Sequence, residues 1–155
     1  MRIVTPRFVI RKFRESDAEA LYGILSDPEV MCRIEPPYSF EQTRAFLEKA
    51  GLGEKPLVWA LEETSGGQLI GQIIFHPYDE SRYEIGWILA RAYWGRGIAE
   101  EATDELVRYA VRQGVSALVI ECADEQAVTK HIAEKKGFYL TEQGEICVFQ
   151  KALHG

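Results

Sequence analysis

The stretch from Tyr83 to Ala110 constrains the fold more than any other part of the chain. Tyr83-Glu84-Ile85-Gly86-Trp87-Ile88-Leu89 is apolar, β-branched or aromatic, and has no helical period, so it reads as a strand. Further on, Ala99, Ala102, Thr103, Leu106 and Ala110 share one face of a helix. Between the two sit Gly95, Arg96 and Gly97, with Arg91 just before. A helix start leaves backbone N–H groups unpaired and carries partial positive charge. Glycines let that backbone come close to a ligand. Strand, glycine turn and helix in this order suit a phosphate or pyrophosphate. A plain turn has the same spacing, and that reading stays open at this point. No third glycine completes a dinucleotide fingerprint, and no Gly-Lys-Ser/Thr completes a Walker A loop.

The 155 residues suggest a single domain over 1–155, long enough for a sizeable core. A net charge of −6 argues against sequence-independent nucleic-acid binding, which needs a basic face. No apolar run approaches transmembrane length and the first residues carry no signal-peptide core, so no membrane association and a cytoplasmic location are expected. Cys32, Cys122 and Cys147 are far apart and odd in number, which gives neither a metal site nor a disulfide set.

Phe8 to Phe13 reads as a first strand. Ser16-Asp17-Ala18-Glu19 has the form of a capping box and opens a helix that ends at Asp27-Pro28. Adjacent prolines in Pro36-Pro37 leave 27–39 a loop with one short helical piece at most, and Ser39-Phe40-Glu41-Gln42 caps a helix to about Ala50. Two strands, 57–61 and 69–75, flank the turn at Ser65-Gly66-Gly67. After the central strand and helix, Gly114 is a left-handed stop, and Ala117 to Cys122 is a buried strand. Asp124 is the expected N-cap of a helix to Lys136, and strands 138–140 and 146–149 close the chain. The order βααβββαβαββ implies a mixed α/β fold with helices on both faces of the sheet.

Trp94-Gly95-Arg96-Gly97-Ile98-Ala99 resembles the acetyl-CoA loop of the GNAT acyltransferases, [QR]-x-x-G-x-[GA], with Trp94 where Gln or Arg is usual. Thr5-Pro6-Arg7-Phe8-Val9-Ile10-Arg11 and the later Asp17 are similar to the start of the branch that contains the ribosomal-protein N-terminal acetyltransferases. Gln126 to Phe138 resembles that family's N-x-x-S-x-x-V-x-E-K-x-G-F. Glu134, Lys135, Gly137 and Phe138 match it, Gln126 replaces Asn, and Thr129 replaces Ser.

The resemblance implies a mostly antiparallel sheet with a splayed parallel central pair, and acetyl transfer from acetyl-CoA to an amine. It implies pantetheine contacts from the backbone of Ile88 and Ala90, and pyrophosphate contacts from Trp94, Gly95, Arg96, Gly97, Ile98 and Ala99. Gln126 and Thr129 would face the cofactor, and Arg91 and Arg96 are available to phosphates. Cys32, Arg33, Glu35 and Tyr38 border the acceptor side in the family layout. Glu84 is the first candidate for the base, with Glu121, Asp124 and His76 as alternatives; pairing of Glu84 with Arg82 or a neighbouring strand is the structural alternative. Many relatives carry a proton-donating Tyr where this chain has Ala133, which leaves Thr129 as the nearest hydroxyl. The acceptor is a protein N-terminus or a small-molecule amine, and a homodimer follows by family analogy alone. The competing reading is a non-catalytic acyl-CoA-binding or regulatory protein.

Overall fold

The computed structural model describes residues 1–153. In chain order the elements are β1 (Ile3–Val4), β2 (Phe8–Arg11), α1 (Ala18–Leu25), α2 (Pro28–Met31), α3 (Phe40–Phe46), β3 (Val58–Glu63), β4 (Leu69–Pro77), β5 (Arg82–Leu89), α4 (Ile98–Arg112), β6 (Ala117–Ala123), α5 (Ala127–Lys135), β7 (Tyr139–Glu142) and β8 (Ile146–Ala152). The strands join in one mixed sheet, ordered β1-β2-β3-β4-β5-β6-β8-β7. The expected α/β class holds, with one addition, the short strand β1; the four-residue α2 is the one short helical piece that the 27–39 segment allows. Contacts divide the chain into two compact units, residues 1–74 with 87–96, and residues 75–86 with 97–155.

In the first unit β2 pairs antiparallel with β1 and β3, and β3 with β4. Every residue of β2 is buried, Arg11 included. Phe13, expected within the strand, lies beyond its end yet is buried in the core with Leu21, Ile24, Leu25, Val30, Leu47 and Val58. Arg11 is tolerable there because four of its five guanidinium N–H donors are engaged. It donates two 2.9 Å hydrogen bonds to the Asp17 carboxylate, a third to Glu62 and a fourth to the Lys12 carbonyl.

That pairing also corrects the expected start of α1. The helix-entry acceptor is Asp17, which takes the Arg14 N–H at 2.8 Å, and not Ser16. Two roles for one carboxylate pin it in place ahead of the hydroxyl. At α3 the expected box forms: the Ser39 hydroxyl accepts from the Gln42 N–H, and the Gln42 side chain accepts from the Ser39 N–H. A π-helical turn, Leu47–Gly51, carries the helix on to the expected limit.

The second unit is built around β6, whose first four residues are all buried. β6 pairs parallel with β5 from Arg82↔Ala117 to Glu84↔Val119, and antiparallel with β8 along its whole length. Helix α4 buries Ile98, Ala102, Thr103, Leu106 and Ala110, the stripe its periodicity predicts. Full burial of a leucine such as Leu106 contributes about 1.5–3 kcal/mol. The N-cap of α5 is Gln126 rather than Asp124. Asp124 is held elsewhere: Lys130 donates to its carboxylate, and the Cys147 thiol lies 3.4 Å from it.

Candidate active site

The turn after β5 is assembled by contacts that its own residues make. A 3₁₀ turn, Arg91–Tyr93, follows Leu89, and the Trp94 indole N–H donates back to the Leu89 carbonyl at 3.0 Å. Gly95 and Gly97 both have positive φ, 74° and 76°. A side chain there would face a steric cost of about 1–2 kcal/mol, which explains glycine at both. Gly97 is also the N-cap of α4, and no side chain caps the first turn. Those amides therefore remain available to an anion, assisted by the dipole of a fifteen-residue helix.

The two arginines of this turn differ. Arg91 is committed to Asp27, the N-cap of α2, through Nη2 at 2.6 Å and Nε at 3.1 Å. Arg96 forms no ion pair among the described residues. Its carbonyl accepts from Arg7 at 2.7 Å, and its guanidinium lies 4.8 Å from the centre of the Tyr93 ring. Tyr93 in turn donates to Glu63, and that hydrogen bond, with one from Ser65, keeps the Glu63 carboxyl below its usual range. Arg96 thus carries the cationic side chain best suited to a phosphate here.

Strand β5 corrects one expectation. The Ala90 N–H donates to the Ile70 carbonyl at 2.8 Å, so it is not a free donor. The Ile88 carbonyl also faces β4: a Cβ built on Gly71 would stand only 2.4 Å from its oxygen. Alternation puts the backbone groups of Trp87 and Leu89 on the other edge, a point no motif signals. The buried side-chain oxygen of Gln72 has no hydrogen-bond partner among the described residues, an acceptor left open to water or a bound group.

On α5, the Gln126 side-chain oxygen accepts from the Ala123 N–H at 2.7 Å, closing the end of β6. Thr129 is half-buried in the first turn. Ala133 is fully buried, so no hydroxyl stands at that position.

Glu84 sits in a cluster of titratable groups. Its carboxylate lies 3.4 Å from His76 Nε2, and both side chains are about one-fifth exposed, 18% and 22%. His76 Nδ1 lies 2.8 Å from the Pro77 carbonyl oxygen. The hydrogen bond to Glu84 raises the His76 pKa against the opposing effect of burial, with help from Pro77 and the Glu121 charge. Tyr78 donates to Glu121 at 2.9 Å, and this bond raises the Tyr78 pKa. Arg82 turns away, to Asp79 and Gln150, so it is not the partner of Glu84. Two carboxylates, an imidazole and a phenol can bind a cation and hold its proton. Tyr78 is the member that sequence reasoning missed. It lies in the β4–β5 connection, where no periodicity points.

Of the residues expected on the acceptor side, Glu35 and Tyr38 meet: the Tyr38 hydroxyl donates to Glu35 at 2.9 Å. Burial, followed by that carboxylate, pushes the phenol up to about 12. Arg33 has a left-handed backbone, φ 69°, and with Cys32 and Glu35 it lines a shallow depression of about 340 Å³.

A family model described as the acetyltransferase (GNAT) domain matches residues 7–139. The chain is similar to YnaD of Bacillus subtilis, named as an uncharacterized N-acetyltransferase: 32% identity over 143 residues, 88% of this chain and 82% of the relative. It is similar in structure to a GNAT-family acetyltransferase from Bacillus anthracis, with a TM-score of 0.87 at 27% identity over 99% of this chain and 98% of the other. The Microcin C7 self-immunity acetyltransferase MccE, solved in complex with acetyl-CoA and AMP, shares the fold: TM-score 0.82 at 18% identity, over 96% of this chain and 94% of the other. No described helix is long and apolar enough to cross a membrane.

Proposed function

We propose that this chain, which belongs to the acetyltransferase (GNAT) family, transfers acetyl from acetyl-CoA to a primary amine by direct attack. Membership of the family makes it an acetyltransferase. We read residues 1–155 as one acetyltransferase domain. The choice of acetyl donor rests on the uncapped, glycine-led start of α4, and the complex formed by MccE supports it. Backbone amides from Trp94 to Ala99 hold the pyrophosphate, and Arg96 neutralises phosphate charge. Thr129 lends a hydroxyl toward the leaving sulfur, and Gln126 shapes the start of α5.

The acceptor arrives as a cation. A small-molecule amine with a pKa of about 10 is only about 0.1% neutral at pH 7, and a protein N-terminus with a pKa of about 8 only about one-tenth neutral. Glu84 takes its proton, directly or through water, and the freed lone pair attacks the thioester carbonyl. The C–N bond forms, the C–S bond breaks, and the sulfur leaves with its electron pair and is protonated from solvent. The nitrogen's remaining extra proton is released as the amide forms. Arg33, Glu35 and Tyr38 contribute to holding the acceptor, whether a protein N-terminus or a small-molecule amine. Bringing both reactants together removes a large entropic part of the barrier.

Calorimetric titration with acetyl-CoA, followed by thiol release across a panel of amines, tests this reading. Micromolar binding and release with one amine class is the expected result. Absence of binding sinks the donor assignment, while binding without release across all amines favours the non-catalytic alternative.

A further inference from the structure

The contacts of His76 set its tautomer. A backbone carbonyl only accepts, so Nδ1, 2.8 Å from the Pro77 oxygen, carries a hydrogen. The neutral ring then has its lone pair on Nε2. That lone pair faces the Glu84 carboxylate oxygen, 3.4 Å away, which also offers only lone pairs when ionised. Two acceptors facing each other lack the hydrogen that would join them. One added proton supplies it, from Nε2 to Glu84. Glu121 adds a second negative charge near the ring, and Tyr78 fixes Glu121 from the same strand connection. The cluster draws its charges from β4, β5 and β6, and Asp79 and Arg82 satisfy each other outside it.

We propose that His76 and Glu84 form one proton-binding unit, in which His76 stores the proton that the acceptor amine gives up. The inference rests on the acetyl-transfer reading for its chemistry, but the shared proton stands on geometry alone. In the working state the ring is neutral and Glu84 is ionised. The ammonium's N–H bond breaks, its electron pair stays on nitrogen, and the proton comes to lie between Nε2 and the Glu84 oxygen. It then leaves to solvent from the part-exposed ring. His76 is a positioning residue for Glu84 as well as a reservoir: it holds the carboxylate at the end of β4 and takes the charge that Glu84 alone would lose to protonation.

The sign of the pH dependence follows. A base must be unprotonated, so kcat/KM rises with pH through the midpoint of the pair. That midpoint lies above the ordinary histidine value of about 6.5, because the protonated ring is the form its neighbours favour.

The test is ¹⁵N NMR of the imidazoles in the full chain, with H76Q used to assign the His76 signals against His131 and His154. The neutral ring is expected as the Nδ1–H form, with a midpoint above about 6.5 that falls by about one pH unit in E84Q. A neutral Nε2–H ring, or a midpoint that E84Q leaves in place, overturns the proposal. In the thiol-release assay, H76Q and E84Q each lower kcat/KM by about tenfold or more, and the double variant falls no further than the worse single one. Multiplying losses overturn the unit. A coupled titration in a protein that acetylates no amine upholds the shared proton and refutes the acceptor reading instead.

Discussion

The buried pair Arg11–Asp17 gives a strong test of how the first unit is held. Both side chains are at most one-tenth exposed, and the carboxylate grips the guanidinium at two points, each 2.9 Å. Asp17→Asn keeps the shape and removes the charge. Removing one partner of a buried pair costs about 3–5 kcal/mol. Arg11 retains Glu62 and the Lys12 carbonyl, so the lower end, about 3 kcal/mol, is expected. With a urea slope of about 2 kcal/mol per molar, the midpoint should fall by about 1.5 M. The loss should depend on pH. Burial raises the Asp17 pKa, but Arg11 and the Arg14 N–H outweigh it, so the folded value lies below the unfolded one. The stabilisation is therefore present above the unfolded pKa of about 3.9, and is lost as pH falls through the folded value. Urea curves at pH 7 and pH 3 should show the gap between wild type and variant narrowing in acid. A midpoint shift under about 0.3 M at pH 7, or a gap that does not narrow, would refute this account of the pair.

Gly71→Ala places a Cβ 2.4 Å from the Ile88 carbonyl oxygen, a backbone atom that cannot swing aside. Overpacking of this kind costs about 3 kcal/mol, or roughly 8 °C in thermal midpoint for a chain of this size; a drop under about 2 °C would contradict the close approach of the strands. Arg96→Ala should weaken acetyl-CoA binding about tenfold by calorimetry, and Arg91→Ala less than about twofold, because Arg91 is spent on Asp27. Equal losses would show that Arg91 leaves Asp27 to meet the phosphates. Cys32 is exposed, whereas Cys122 and Cys147 are buried and burial pushes the Cys122 thiol up to about 11. A thiol reagent at neutral pH should therefore titrate one fast cysteine, lost in Cys32→Ala; two fast thiols would contradict the packing of β6 on β8.

The glycine turn was legible because the two chemical demands at 95 and 97 leave few other residues. Positive φ and an approachable backbone both select glycine, and the stripe on α4 follows a 3.6-residue period. Capping was legible only where it stayed local. Ser39 and Gln42 satisfy each other three residues apart, as their spacing announces. Ser16 and Asp124 looked equally suitable, yet the Arg11 pair gives the first cap to Asp17, and Lys130 with Cys147 draws Asp124 away. Those partners depend on which strands meet, information that no local window holds. The same holds at the candidate site. The family resemblance points to Glu84, but its facing His76 is fixed by the β4–β5 hairpin, and the commitment of Ala90 to Ile70 by their register.

Ala133 bears on whether the missing tyrosine weakens the case for catalysis. Its side chain is a buried methyl group, which has no proton to give a leaving sulfur. The thermodynamics of the leaving group make such a proton dispensable. An ordinary thiol has a pKa of about 8.5, so its thiolate departs readily, whereas a nitrogen that has lost its proton could depart only as a far more basic amide anion. The thiolate is thus the better leaving group once the attacking nitrogen has lost its proton, and a hydrogen bond is enough to steady it. On the proposed reading the demanding proton transfer lies on the amine side, the part assigned to Glu84 and His76. Thr129→Val keeps the half-buried shape and removes the hydroxyl. It should lower kcat by less than about tenfold, the scale of one neutral hydrogen bond, and leave the pH midpoint in place. A loss above about a hundredfold would make Thr129 an obligatory proton donor and move the demanding step to the sulfur.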